Sequence, residues 1–101
     1  MKFRKKPVVI EAVQWTNSKG FTEKPQWLKQ AMKDGTLIKH EHFCFTPARE
    51  LHSVTWGVDT LEGEMRLSNG DWLIRGIKGE LYPCKNEIFI ETYEAVEGDL
   101  V

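Results

Sequence analysis

The stretch that decides the fold covers residues 53–96 and reads SVTWGVDTLEGEMRLSNGDWLIRGIKGELYPCKNEIFIETYEAV. In it, short runs of β-branched and aromatic residues alternate with glycines at positions 63, 70, 76 and 79. Such alternation is typical of antiparallel strands joined by tight turns. The stretch therefore predicts an antiparallel meander, with a type I′ turn at Asn69-Gly70.

Period-two alternation and turn signals place the strands of the whole chain. Two strands are expected before the meander, at residues 7–15 and 36–46, with a polar loop at 47–52. Apolar residues on both faces of the first predict a strand buried on both sides. The meander itself divides into strands at residues 53–61, 64–67, 72–75, 80–83 and 87–93.

One helix is expected, at residues 23–34. Thr22 is its candidate N-cap, Pro25 suits the first turn, and Gly35 can end it in the left-handed conformation. The apolar side chains of this segment recur at helical spacing, so one stripe of the helix should pack on a sheet.

These elements predict a single α+β domain over residues 1–101. Its expected architecture is a twisted antiparallel β-sheet, curled in one alternative into a partial barrel, with one packed α-helix. The predicted core is Val8, Ile10, Val13, Trp27, Leu28, Ala31, Leu73, Ile74, Ile88 and Ile90. Since Val8 and Val13 face opposite ways, one of them is a candidate contact for a partner chain.

Composition excludes several classes of protein. The formal net charge of −1 gives no overall field to attract nucleic acid, although the first residues are basic and the last are acidic. No apolar run reaches the roughly 20 residues that a membrane-spanning helix needs. We therefore expect a cytoplasmic protein whose two cysteines, Cys44 and Cys84, are free thiols.

His40 and His42 stand two residues apart on the strand expected at 36–46, with Cys44 at the same period. Such a row is a conceivable metal site and would support a metal-dependent enzyme. A zinc site generally has at least three protein ligands, and the glutamate that would complete a cupin-like pattern is absent. The expectation is accordingly no metal, no cofactor and no catalytic residues.

The segment at 70–82 offers a different chemistry, because it combines glycines with two cations, Arg75 and Lys78, and with the aromatic residues Trp72 and Tyr82. A base could stack on Trp72 or Tyr82 while Arg75 or Lys78 meets a phosphate. The segment lacks a Walker pattern, and no helix follows it to offer backbone amides. These four residues are the candidate ligand-binding site, and two structural turns flanking a strand are the alternative.

Three segments carry a resemblance to a known family: FRKKPVVIEAVQW at 3–15, GDWLIRGIKGELYPC at 70–84 and FIETY at 89–93. Together they resemble a family of small bacteriophage and prophage proteins. The resemblance implies a phage or prophage origin and expression in the bacterial cytoplasm. The family has no established activity and implies no catalytic residues.

The leading functional hypothesis is a non-enzymatic accessory protein of a phage. It would bind a host or phage protein, or pair with itself through a sheet edge. The second hypothesis is a small-ligand binder that sequesters a nucleotide-like molecule at the 70–82 segment. The third is a metal-dependent enzyme that uses the His40 and His42 strand.

Overall fold

The computed structural model describes residues 1–4 and 6–96, and its architecture is α+β as the sequence predicts. The elements in chain order are β1 (Glu11–Thr16), β2 (Gly20–Phe21), α1 (Gln26–Asp34), β3 (Leu37–Phe45), β4 (Glu50–Thr60), β5 (Gly63–Leu67), β6 (Trp72–Arg75), β7 (Leu81–Cys84) and α2 (Asn86–Thr92). All strand pairs are antiparallel.

The strands form two open sheets, where the sequence predicted one sheet. The first has the order β2-β1-β6-β7, and the second has the order β3-β4-β5. The predicted meander therefore splits between β5 and β6, which do not pair. Both sheets are open, so the partial-barrel alternative is wrong. The two sheets share one core, to which the second sheet contributes Leu37, Trp56, Val58 and Leu67. Residues 41–53, in the β3–β4 hairpin of that sheet, are exposed.

The break lies at the turn that the sequence predicted to be a type I′ hairpin. Gly70 has a φ of 88°, but Asn69 has a negative φ, whereas type I′ needs positive φ at both positions. The amide of Asp71 donates to the carbonyl of Ser68 at 2.9 Å, which closes a tight turn. This turn passes the chain from one sheet to the other instead of folding it back on its neighbour.

Helix α1 forms as predicted but begins three residues later. Pro25 is the N-cap, and no side chain caps the helix. The hydroxyl of Thr22, the predicted cap, instead accepts a hydrogen bond from the amide of Gln14 at 3.1 Å. At the other end Gly35 has a φ of 87° and ends the helix in the left-handed conformation, as expected.

The second predicted strand is confirmed as β3, and two neighbouring strand boundaries differ from expectation. Strand β4 begins at Glu50, so only about half of the loop predicted at 47–52 remains between β3 and β4. Strand β1 begins at Glu11, so residues 7–10 form no strand. They have no strand beside them among the residues that the structure describes, and a strand needs such a partner to form.

One core fills the space between the two sheets and α1. It contains Val13, Trp15, Phe21, Leu28, Ala31, Leu37, Trp56, Val58, Leu67 and Leu73. The rings of Trp15, Phe21 and Trp56 join the sheets, with centroids 5.0 to 6.1 Å apart. Five predicted core residues are buried: Val13, Leu28, Ala31, Leu73 and Ile74. Trp27 and Ile10 are half-buried, and Val8, Ile88 and Ile90 are exposed.

The last predicted strand, at 87–93, is a helix. Helix α2 carries Phe89, and the ring of its C-cap residue Tyr93 lies on the same side, with centroids 5.1 Å apart. That face packs on the first sheet, whereas Ile88 and Ile90 point away from it. The period-two pattern of isoleucines suggested a strand, and such short apolar segments fit either periodicity.

Candidate functional site: a groove along the free edge of β1

Strand β1 is paired along one edge and only partly covered along the other. It pairs with β6 from Glu11 to Gln14, and with β2 only at Trp15 and Thr16. The amide and carbonyl of Trp15 form hydrogen bonds with Asp71 and Gly70 in the β5–β6 turn. The amide and carbonyl of Gln14 point the other way and form hydrogen bonds with Thr22. Because these directions alternate along a strand, the amide and carbonyl of Ala12 point to the free edge.

A groove of about 630 Å³ runs along this edge. It is lined by residues 8–13, by residues at and just before the start of α1, and by Phe89 of α2 with the residues from Tyr93 to Val96 that follow this helix. The apolar lining includes the rings of Trp27, Trp72 and Phe89. The exposed side chains of Val8 and Val9, 43% and 69% accessible, extend the apolar floor. The groove thus combines an open backbone edge with an apolar surface.

The charges of the groove all have one sign. Three carboxylates line it, from Glu11, Glu23 and Glu94, and its lining includes no described lysine or arginine. All three are exposed, and no ion pair joins them to another residue in the described ranges 1–4 and 6–96. Such a groove repels phosphate and favours a neutral or basic ligand.

Helix α2 closes one side of the groove through a defined set of contacts. Phe89 stacks on Trp72 with centroids 4.0 Å apart and planes 8° from parallel. The amide oxygen of Asn86 accepts hydrogen bonds from the indole of Trp72 at 2.8 Å and from Gln14 at 3.4 Å. These contacts tie α2 to both β1 and β6, so the wall and the floor of the groove form one unit.

Behind α2, two titratable groups of β7 favour their neutral forms. Burial, with a hydrogen bond to Tyr93 and nearby negative charges, raises the pKa of Tyr82 to about 12. Burial, with the charge of Asp71, raises the pKa of the Cys84 thiol. A thiol in this state is a poor nucleophile, because the thiolate is the reactive form. Both cysteines are free.

The four residues of the candidate ligand-binding site do not converge on this groove. Trp72 lines it, and Phe89 already covers one face of its indole. Tyr82 pairs with Ile74 on the same sheet face as Trp72, but it lies outside the lining. Arg75 falls on the opposite face by strand alternation, and Lys78 is in the β6–β7 turn.

The predicted row of His40 and His42 lies on the outer face of the second sheet, at a depression of about 270 Å³. His40 Nε2 lies 2.8 Å from a carboxylate oxygen of Glu64, and His42 Nε2 lies 3.1 Å from the hydroxyl of Thr55. The Glu64 side chain lies across Gly57 and reaches His40. A Cβ at position 57 would overlap the Glu64 side chain, so glycine leaves room for this contact. Within the described residues, no group of three or more His, Cys, Asp or Glu is placed to hold a metal ion.

Sequence reasoning missed most of the groove because its parts come from distant segments. The sequence predicts that Val8 and Val9 lie in a covered strand and that Phe89 lies in a strand, whereas the valines are exposed and Phe89 belongs to α2. The available signal was the spacing of Phe89 and Tyr93, four residues apart, which fits one face of a helix.

Comparisons with known proteins add no further constraint: no protein-family model, no curated protein and no solved structure matches this chain. In the described part of the chain, no helix has the length and apolar character required to cross a membrane.

Proposed function

We propose that this chain is a non-catalytic binding protein that captures an extended polypeptide segment along the free edge of β1. The observation that carries the proposal is the outer backbone of Ala12, which no residue in the described ranges pairs, beside an apolar, acidic groove. Main-chain hydrogen bonds to the edge would supply affinity, and alternate side chains of the segment would enter the groove. The three carboxylates would select lysine or arginine in the captured segment.

The sequence resemblance suggests the setting for this activity. As an accessory protein of a phage or prophage, the chain would act in the bacterial cytoplasm on a polypeptide of the host or the phage. The groove supports a binding role over nucleotide sequestration, because it holds carboxylates where a phosphate would require cations.

Selection of short random peptides on the immobilised protein tests the proposal. We expect the selected peptides to alternate apolar residues with lysine or arginine. Adding such a peptide to the labelled protein should shift the backbone amide resonances of residues 8–13. The same peptides should bind the variant Ala12→Pro at least about tenfold more weakly. Proline has no amide hydrogen to donate to the peptide, and its ring blocks the approach of a strand to this edge.

The matched control is Glu41→Pro, which introduces the same residue at the free edge of β3. The amide of Asp59 donates to the carbonyl of Thr36, so alternation directs the amide of Glu41 to that outer edge. This control should leave peptide binding unchanged. Peptides that bind Ala12→Pro as well as wild type, or whose shifts map elsewhere, would contradict the proposal.

A further inference from the structure

We infer that the segment seated on the free edge of β1 is the amino-terminal arm, residues 1–10, of a second copy of this chain. The inference rests on the proposed function, because it names an occupant for the same edge. Two copies would pair their β1 edges antiparallel about a two-fold axis, and each arm would enter the groove of the other copy.

The first argument is that residues 7–10 form no strand although their sequence favours one. These residues have strong β propensity, with Val8, Val9 and Ile10 in succession, yet they form no strand and two of the three are exposed. They adjoin the part of β1 whose outer backbone is unpaired. A second copy would complete the strand and cover the exposed valines in one step.

The second argument is charge complementarity. The arm carries Lys2, Arg4 and Lys6, and the groove carries Glu11, Glu23 and Glu94. None of these six residues forms an ion pair within the described parts of the chain. When the basic arm of one copy enters the acidic groove of the other, the cations of the arm approach the carboxylates of the groove. The two-fold axis makes this contact occur twice in the dimer.

The third argument is that the free edge has a defined end. Thr22 already forms hydrogen bonds with the outward-pointing amide and carbonyl of Gln14. A strand added at this edge must therefore stop before Gln14. Residues 8–12 are thus available for pairing. Pro7 lies just outside this segment, and its missing amide is tolerated at the start of a strand. Beyond it the cations of the arm are free to reach Glu23, which follows Thr22.

Sedimentation velocity on the full chain tests the inference. Wild type should be a dimer that dissociates as salt is raised, because exposed ion pairs are screened. Ala12→Pro should weaken the dimer at least about tenfold, and Glu41→Pro should not. Circular dichroism would verify that each variant is folded.

A charge exchange makes the test specific to the arm and the groove. One variant carries Arg4→Glu with Lys6→Glu, and the other carries Glu11→Lys with Glu23→Lys. All four residues are exposed. Circular dichroism would verify that both variants fold, because Glu11→Lys places a lysine directly across the strand pair from Arg75. Each variant alone should be mainly monomeric, because like charges meet, and an equimolar mixture should form a heterodimer.

Three results would overturn the inference, and peptide selection shows which of them also contradicts the proposed function. A wild-type monomer that selects peptides at residues 8–13 retains the binding function and excludes a second copy as occupant. A dimer that persists in Ala12→Pro and in both charge variants has its interface elsewhere. A monomer that selects no peptide at this edge contradicts the proposed function as well.

Discussion

At the scale of single residues, two glycines matter because of the side chains that lie across them. Gly57 and Gly76 both have ordinary φ values, so conformational freedom is not what they provide. A Cβ on Gly57 would overlap the carboxylate of Glu64, and one on Gly76 would overlap that of Glu80. In the β6–β7 turn, the Glu80 carboxylate accepts a hydrogen bond from the amide of Lys78 at 3.0 Å.

Gly76→Ala should therefore destabilise the chain by displacing the Glu80 carboxylate from the amide of Lys78. We expect a loss of about 1 kcal/mol, the usual net value of one hydrogen bond. In a Glu80→Ala background the same substitution should cost much less, since the overlapping group is gone. Urea unfolding of the four proteins in this double-mutant cycle measures the coupling. Equal costs in both backgrounds would show that the overlap is not the cause.

At the scale of elements, the least expected feature is α2, which replaces the last predicted strand. It depends on one aromatic face, because none of its residues is buried and its N-cap residue makes no side-chain capping bond. Stacking of Phe89 on Trp72 and the two hydrogen bonds to Asn86 hold it against the first sheet. The helix should thus be the first element to detach when these contacts weaken.

Phe89→Ala should detach α2 while leaving the sheets folded. We expect a loss of about 2 kcal/mol, less than for a fully buried phenylalanine, because Phe89 is half-buried. Hydrogen exchange should show faster exchange in α2 and unchanged protection in β1 and β6. Ile90→Ala, at a side chain that is 64% exposed on the same helix, should change stability by under about 0.5 kcal/mol. Loss of protection in β1 after Phe89→Ala would show that α2 does not detach alone.

At the scale of the whole molecule, the two sheets share one core and should unfold together. Leu73 in the first sheet and Leu67 in the second are almost fully buried, at 0% and 1% exposure. They belong to the same cluster, which α1 also joins through Leu28. A shared core makes unfolding of one sheet alone costly, because it exposes the inner face of the other.

Leu73→Ala and Leu67→Ala should each cost about 2–5 kcal/mol and shift the same single transition. Tryptophan fluorescence and far-ultraviolet circular dichroism should report coincident unfolding curves for both variants. For a chain of this size each kcal/mol lowers Tm by roughly 4–8 °C. Two separated transitions in either variant would mean that the sheets are independent units.

Local chemistry determined much of this protein in advance. Gly35 ends α1 because only glycine adopts its left-handed conformation without strain. The alternation in β3 and the turns at Gly63 and Gly79 place strands with little help from the rest of the chain. The class, the main helix and half of the predicted core follow from such short-range preferences.

The tertiary structure alone decided the division into two sheets and the candidate site, and it decided between helix and strand for α2, whose sequence fits both periodicities. Which strands pair depends on which faces can be buried together, and that depends on contacts between residues such as Trp15 and Trp56, far apart in the chain. The same holds for the groove, whose floor is at residues 8–13 and whose wall includes Phe89. Periodicity describes one segment at a time, so it cannot show that, within the described ranges, no strand lies beside the outer edge of β1 at residues 11–13.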